Sequence, residues 1–311
     1  MIVAADAVLW DHCYDSPLLE RLGPAQDEVI AHVTQVNAAT GVAAQPLSTQ
    51  VSAGFHADVR AAMAGMPASV QALLDGVLLG VRYARRLGSS AISDIVVSGE
   101  GVILGVVVAL NVEAFEARTA NAWATWKENT PFAPQPGYRL EAHIAAPGDD
   151  NRQRALQYLL LHEFGHVLAA GRGLLPEWWN GAQAMRGADD YRYLPLAWRI
   201  TPERLVVPLP ANDFPLRADI AYYQAPRLAA SQMRDAYAQL QGANFATLYA
   251  ATSMHEDFAE SFASYVHAVM LRQPQCIRIF QDGAVLLQFD GYWEAGRSAA
   301  KRQLLESLLG S

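Results

Sequence analysis

Residues 158–170 read YLLLHEFGHVLAA, and this stretch constrains the fold more than any other part of the chain. Three polar residues, His162, Glu163 and His166, lie inside an otherwise apolar run. Good N-cap residues precede the run and a glycine follows it, which predicts one helix over about 152–170. Apolar side chains cover most of the circumference of that helix. The polar side chains are therefore expected to be buried, and buried polar groups need partners.

The spacing of these polar residues is typical of a metal site. His162 and His166 are four positions apart, so both imidazoles lie on one face of a helix and can reach one ion. Catalytic Zn²⁺ is bound by imidazole nitrogen at about 2.0–2.1 Å and keeps one position open for water. Glu163 lies beside that position, where a carboxylate can accept a proton from the water. The pattern H-E-x-x-H thus predicts one bound Zn²⁺. Three polar residues on an exposed helix face are the alternative.

A catalytic zinc site needs a third protein ligand, and residues 248–270, LYAATSMHEDFAESFASYVHAVM, contain the candidates. Glu256 and Glu260 are four positions apart on a second predicted helix, over about 254–272. One carboxylate can bind the metal while the other accepts a hydrogen bond from the outer nitrogen of a ligand histidine. Glu256 is the favoured ligand, and Glu260 and His255 are the alternatives.

The two motifs together resemble those of the gluzincin zinc peptidases of the anthrax lethal factor type, to which the Pro-Pro endopeptidases are related. In that family the second motif runs E-x-F-A-E, its first glutamate binds zinc, and a tyrosine precedes it by seven residues. Glu256, Glu260 and Tyr249 match these three positions. The resemblance implies that Tyr249 donates to the oxyanion of the tetrahedral intermediate, and that Glu260 orients a ligand histidine, His162 rather than His166. A tyrosine that only packs in the core is the alternative for Tyr249.

The resemblance covers residues 158–170 and 245–270 and implies a zincin-like α+β fold. Such a fold has a small mixed sheet packed on the active-site helix, followed by a mostly helical C-terminal half. The chain itself predicts a hairpin, Asp94–Ser98 with Val102–Leu110, and a third strand at 138–146. In such peptidases an edge strand beside the helix holds the substrate backbone. Val102–Leu110 is the expected counterpart, with an interior strand as the alternative.

The remaining pattern suggests how the chain is organised. Composition changes near residue 66, which predicts a mostly helical N-terminal segment, 1–66, and a zincin-like metallopeptidase domain, 67–311. Residues 172–225 are rich in Pro, Trp and Tyr and show no clear periodicity. Further helices are predicted at 26–41, 67–88, 226–241, 244–250 and 293–309, and a second hairpin at 276–289.

Composition and charge exclude several classes of protein. Hydrophobic residues make up 52% of the 311 residues, which is enough for a sizeable core. The net charge is −8 and no basic stripe is present, so a nucleic-acid partner is not expected. No apolar run approaches the roughly 20 residues that cross a bilayer, which predicts no integral membrane segment. The N-terminus lacks the basic region of a signal peptide, so a cytoplasmic location is expected for the chain as it stands, with export by a signal-independent route as the alternative.

The two cysteines do not indicate a disulfide framework. Cys13 and Cys276 lie 263 positions apart, and neither is near the histidine motif. Two buried or idle thiols are the expected outcome.

The sequence therefore predicts a zinc-dependent endopeptidase acting on a peptide or protein substrate. A zinc aminopeptidase, or another zinc hydrolase on the same ligands, is one alternative; an aminopeptidase would need further acids near the metal to hold a free amine. A non-catalytic zinc-containing interaction protein is another. Structural zinc sites are closed by four protein ligands, mostly cysteines, and such a site would leave Glu163 and Tyr249 without a purpose.

Overall fold

The computed structural model describes residues 1–310 and has an α+β architecture with a mixed sheet, as predicted. The helices are α1 Ala7–Asp11, α2 Asp27–Thr40, α3 Ala53–Ala64, α4 Ala68–Asp75, α5 Ala120–Asn129, α6 Arg152–Ala169, α7 Met233–Leu240, α8 Met254–Ser264 and α9 Ala299–Leu309. The strands are β1 Ile2–Val3, β2 Leu22–Pro24, β3 Leu47–Ser48, β4 Leu78–Arg85, β5 Ala91–Val97, β6 Ile103–Asn111, β7 Phe132–Ala133, β8 Tyr138–His143, β9 Trp198–Ile200, β10 Val206–Pro208, β11 Leu228–Ala229, β12 Cys276–Gln281 and β13 Ala284–Phe289.

The chain divides into two compact units, each made of two segments. The first unit contains Met1–Thr119 and Asn151–Ala170, and the second contains Ala120–Asp150 and the residues from Gly171 onwards. Residue 66, where composition suggested a boundary, lies inside the first unit. Besides its helices, segment 1–66 supplies three short strands, β1 to β3, to the sheet of that unit.

The first unit is built on a mixed sheet with the strand order β1-β5-β6-β4-β2, and β3 also pairs with β4. The predicted helix over 67–88 is wrong in its second half. Helix α4 ends at Asp75, and β4 follows, running parallel to both β6 and β2. Nearly all of β4 is buried. A strand covered on both faces has a continuous apolar sequence with no period-two alternation, so its pattern resembles that of a buried helix.

The predicted hairpin is confirmed, but the predicted role of its second strand is not. Strands β5 and β6 pair antiparallel, with Ala91 opposite Leu110. β6 lies between β5 and β4, so Val102–Leu110 does not form a sheet edge. On the other side of β5, β1 pairs only with Val96 and Val97. Within residues 1–310, the earlier part of β5 therefore has no strand partner on that side.

Helix α6 packs against this sheet and against α3 and α4. It begins at Arg152 and ends at Ala169, and Asn151 caps its N-terminus through a side chain that accepts a hydrogen bond from the Arg154 amide at 3.0 Å. The Gln157 amide donates to the Ala62 carbonyl at 3.2 Å, which ties α6 to α3. The predicted bounds, 152–170, are confirmed, because capping and burial both act locally on this segment.

Gly105 is required where β6 passes closest to its neighbours. Its φ is +157°, and a Cβ here would lie 2.8 Å from Leu79 Cγ, 2.9 Å from the Val77 carbonyl and against the Tyr14 hydroxyl. Gly105→Ala is expected to lower the free energy of unfolding by about 1–3 kcal/mol, because the site has no room for a methyl group. Urea denaturation measures this change.

The matched control for that substitution is Gly99→Ala in the turn between β5 and β6. Nothing lies within 4 Å of a Cβ at this position. Its stability should change by less than about 0.5 kcal/mol. Equal stability of the two alanine variants would show that the close approach at Gly105 costs nothing.

The second unit contains a three-stranded antiparallel sheet, β13-β12-β8, and two small two-stranded sheets, β10-β9 and β11-β7. The hairpin of β12 and β13 turns at Asp282-Gly283 as predicted. The C-terminal half is less helical than predicted. Residues 244–250 form turns, α7 and α9 are shorter than expected, and the segment before α7 is largely irregular, in keeping with its prolines.

Helix α8 continues directly into a π-helical turn, Tyr265–Met270, so the predicted helix over about 254–272 is confirmed in extent. Within residues 1–310, none of the helices combines the length and the apolarity that crossing a membrane requires.

Candidate metal centre

Helix α6 presents the first motif in the manner that its spacing predicts. His162 is 6% exposed and Glu163 is 4% exposed, so the motif is buried rather than displayed on a surface. The ring centroids of His162 and His166 lie 5.0 Å apart, with an angle of 82° between the ring planes. Two imidazoles one helical turn apart are therefore directed to the same region, which excludes the alternative of an exposed polar face.

Glu163 has a partner that the sequence did not reveal. The Ser93 hydroxyl, on β5, donates to the Glu163 carboxylate at 2.5 Å. Ser93 precedes Glu163 by 70 positions, and a serine in a strand carries no signal that would identify it as a site residue. The hydrogen bond fixes the orientation of the carboxylate while leaving its other oxygen available.

Helix α8 presents the second motif at its N-terminus. The Ser253 side chain caps the helix by accepting from the Glu256 amide at 3.2 Å. Glu256 therefore lies in the first turn, where the helix dipole favours a negative charge. His255, one of the alternative ligands, makes a hydrogen bond through Nε2 to the Pro176 carbonyl at 2.8 Å.

His162, His166 and Glu256 form a group that could hold a metal ion. Each offers one ligand atom, and the three atoms lie within 4.8 Å of one another. We call these three residues the donor group. Two imidazoles and one carboxylate are the ligand set of one class of catalytic zinc sites, which leaves a fourth position open. Neither Glu260 nor His255 belongs to the group, so the favoured third ligand of the sequence analysis is the one that the geometry selects.

Glu260 is completely buried and accepts two hydrogen bonds within its own unit. The Lys127 ammonium, on α5, donates to one carboxylate oxygen at 2.7 Å, and the Thr247 hydroxyl donates to the other at 3.0 Å. Burial alone would lower the pKa of Lys127, but the carboxylates of Glu260 and Glu128 outweigh it and raise that pKa. The two groups therefore form a charged pair, and the role of Glu260 towards a ligand histidine stays a prediction.

Tyr249 lies against the same lysine. The Lys127 nitrogen is 4.8 Å from the centre of the Tyr249 ring, and the Tyr222 ring is 4.7 Å away, centroid to centroid. Tyr249 is only partly buried. A cation over the ring face restricts where the ring can lie, and its role as a donor to an oxyanion stays a prediction.

A second buried ion pair also anchors α8. The Lys301 ammonium, on α9, donates to Asp257 at 2.5 Å, and the Trp198 indole donates to the same carboxylate at 2.9 Å. Burial raises the pKa of Asp257 and lowers that of Lys301, while their mutual attraction opposes both changes. The acids at 257 and 260 are thus held by lysines from two different helices, and this fixes the rotation of α8.

Sequence reasoning missed Ser93, Lys127 and Lys301. Lys127 carried a faint signal, because it is a lone cation in the aromatic stretch WATWKENT, where an ammonium needs a partner if it is buried. Lys301 lies in a helix of ordinary composition, and its sequence carried no such signal. The hydrogen bonds of Ser93, Lys127 and Lys301 all join residues that are far apart in the chain.

Lys127→Met is expected to destabilise the protein by about 3–5 kcal/mol, because it removes the ammonium from beside a buried carboxylate. Thermal and urea unfolding measure this effect. The double variant Lys127→Met/Glu260→Gln should recover part of the loss, because the buried charge is then removed as well. Arg60→Met, which breaks the exposed pair of Arg60 with Glu20, is the control and should cost less than about 1 kcal/mol. If Lys127→Met lowers the free energy of unfolding no more than Arg60→Met does, the buried ion pair of Lys127 with Glu260 is contradicted.

In comparisons with protein-family models, curated proteins and solved structures, no match to the chain was found. The protein is described by its own fold and site, as an α+β protein with a candidate metal centre made of two histidines and one glutamate.

Proposed function

We propose that this protein is a zinc-dependent endopeptidase of the gluzincin type. The observation that carries the proposal is the convergence of His162 and His166, from one motif, with Glu256, from the other. The sequence separates the two motifs by ninety positions, from 166 to 256. Together with Glu163 beside the histidines, this is the ligand set and the base that metal-assisted peptide hydrolysis needs.

The donor group would hold Zn²⁺. When bound there, the metal supplies Lewis-acid chemistry, which polarises a carbonyl and makes water a stronger acid. The donor set suits this role, because neutral imidazole and carboxylate are the ligands of catalytic zinc and neither cysteine belongs to the group.

The remaining steps belong to side chains of this chain. Glu163 accepts the proton of the attacking water and later passes it to the leaving amine, and Ser93 keeps its carboxylate in one orientation. Tyr249 donates to the oxyanion of the tetrahedral intermediate. Glu260, held by Lys127, orients a ligand histidine.

Strand β5 provides the substrate-binding edge in this proposal. Its Ala91–Ser93 part has no strand partner on the side away from β6 within the described chain, and Ser93 in it contacts Glu163 directly. An extended peptide pairing with this edge would pass beside the base. Backbone pairing of this kind is a common way to bind peptides.

The test is a cleavage assay on a diverse peptide mixture, read by mass spectrometry. Zinc-loaded protein is compared with chelated protein and with chelated protein given zinc again. Internal cuts that disappear on chelation and return with zinc support an endopeptidase. Removal of single N-terminal residues would indicate an aminopeptidase instead. No cuts in any sample, with zinc bound at one ion per chain, would favour a non-catalytic zinc protein.

A further inference from the structure

The first unit contains a cavity of about 430 Å³ that includes no member of the donor group. Its volume lies in the range of small-molecule sites, about 300–1,000 Å³. The residues that line it include two arginines, a cysteine and a tryptophan. Among them are Trp10, Cys13, Arg21, Gln26 and Arg82.

The two arginines of the cavity differ in how their charge is compensated. Arg21 forms an ion pair with Asp75 at 2.7 Å and donates to three backbone carbonyls, so its donors are well used. Arg82 is 8% exposed, and within the described chain no carboxylate forms an ion pair with it. Its Nε has no hydrogen-bond partner among these residues. A buried guanidinium without a counter-charge is costly, and burial lowers the pKa of Arg82.

The group that faces this cation is a thiol. Nη2 of Arg82 donates to Cys13 Sγ at 3.1 Å, and its other hydrogen bond is to the Leu79 carbonyl at 3.3 Å. Cys13 Sγ itself donates to the Leu9 carbonyl at 3.8 Å. The sulfur is therefore also the acceptor for a buried cation that forms no ion pair with a carboxylate within the described chain. A cation in this position can stabilise negative charge that develops on the sulfur during a reaction.

We propose that Cys13 and Arg82 form a modification site, at which the sulfur of Cys13 reacts with low-molecular-weight disulfides that enter the cavity. The Cys13 thiol gives its proton to water and its sulfur attacks one sulfur of the disulfide. A new S–S bond forms, the original S–S bond breaks, and the departing thiolate takes a proton from water. Arg82 stabilises the negative charge that is shared by the three sulfurs during this exchange. Gln26 Oε1 is a buried acceptor without a hydrogen-bond partner and offers a contact for a donor on the bound group.

The uncharged probe 2-hydroxyethyl disulfide tests this site, with the mixed disulfide followed by intact mass. The full chain is used with either Cys276→Ser or Cys13→Ser, so that only one thiol remains in each protein. Cys276 is a suitable comparison because both cysteines are partly exposed, while burial raises the pKa of the Cys276 thiol. Cys13 should react about ten times faster than Cys276. Equal rates, or a faster Cys276, would overturn the proposal.

A second comparison isolates the arginine. In the Cys276→Ser background, Arg82→Met should slow the reaction of Cys13 about tenfold, while Arg82→Lys should retain part of the rate because it keeps a cation. Circular dichroism checks that each variant is folded. A folded Arg82→Met variant that reacts at the original rate would remove Arg82 from the site. The comparison of the two cysteines needs no change at Arg82, so it decides the proposal even where that variant does not fold.

Discussion

Glu163→Gln is expected to reduce kcat/KM for peptide hydrolysis by about 10²–10⁴-fold while zinc content stays at the level of the unsubstituted protein. The amide cannot accept a proton from the attacking water, although its oxygen can still accept the hydrogen bond from Ser93. The side chains have nearly the same size, so the helix packing is preserved. Peptide cleavage and elemental analysis of the same protein sample measure the two quantities together.

Glu20→Gln is the matched control for this substitution. Glu20 is an acid of the same unit whose side chain is half exposed and paired with Arg60. The kcat/KM of the Glu20→Gln variant for peptide hydrolysis should equal that of the unsubstituted protein. A fully active Glu163→Gln variant would exclude Glu163 as the base, whereas loss of zinc together with activity would make its role structural.

His166→Ala is expected to lose the metal. Only His162 and Glu256 would remain of the donor group, and two ligands hold zinc far more weakly than three. Zinc content after gel filtration should fall from about one ion per chain to nearly none. The stabilisation by added zinc should disappear too, which at a zinc concentration of 100 times Kd amounts to about 2.7 kcal/mol.

His143→Ala is the control for the metal measurement. His143 lies on β8 of the second unit, is partly exposed, and is not in the donor group. Its zinc content and its thermal shift with zinc should equal those of the unsubstituted protein. Stoichiometric zinc in purified His166→Ala would show that the ligand set is wrong. If that variant instead loses zinc while the unsubstituted protein cleaves nothing, the metal site stands and the proposed activity does not.

Predictions that depend on local pattern succeeded in this chain. The helix of the first motif, the helix of the second and both hairpins were predicted with nearly correct bounds. Caps, turn residues and helical spacing act over a few positions, so their effect can be seen in the sequence. The spacing of His162 and His166 belongs to this group, because helix geometry alone brings the two rings together.

Predictions that depend on neighbours from elsewhere failed or were not possible. The segment that contains Arg82 was predicted to end a helix, yet it is the strand β4, covered on both faces by the rest of its unit. Similarly, the family resemblance implied that Val102–Leu110 is an edge, with an interior strand as the alternative, and pairing with β4 makes β6 an interior strand. An apolar run can form a buried helix or a buried strand, and an apolar strand can lie at an edge or inside a sheet. The composition is the same in each case, and only the neighbouring segments decide which structure forms.

The sequence by itself determined the helix that carries two histidines and a glutamate, and, with the family resemblance, the α+β class and the choice of Glu256 over Glu260 and His255. Only the tertiary structure decided which residues hold these side chains in place. Ser93 donates a hydrogen bond to Glu163, 70 positions away in the sequence, and Lys127 donates one to Glu260, 133 positions away. The physical reason is range. Helical geometry fixes neighbours three and four positions apart, whereas a contact between distant segments depends on how the whole unit packs.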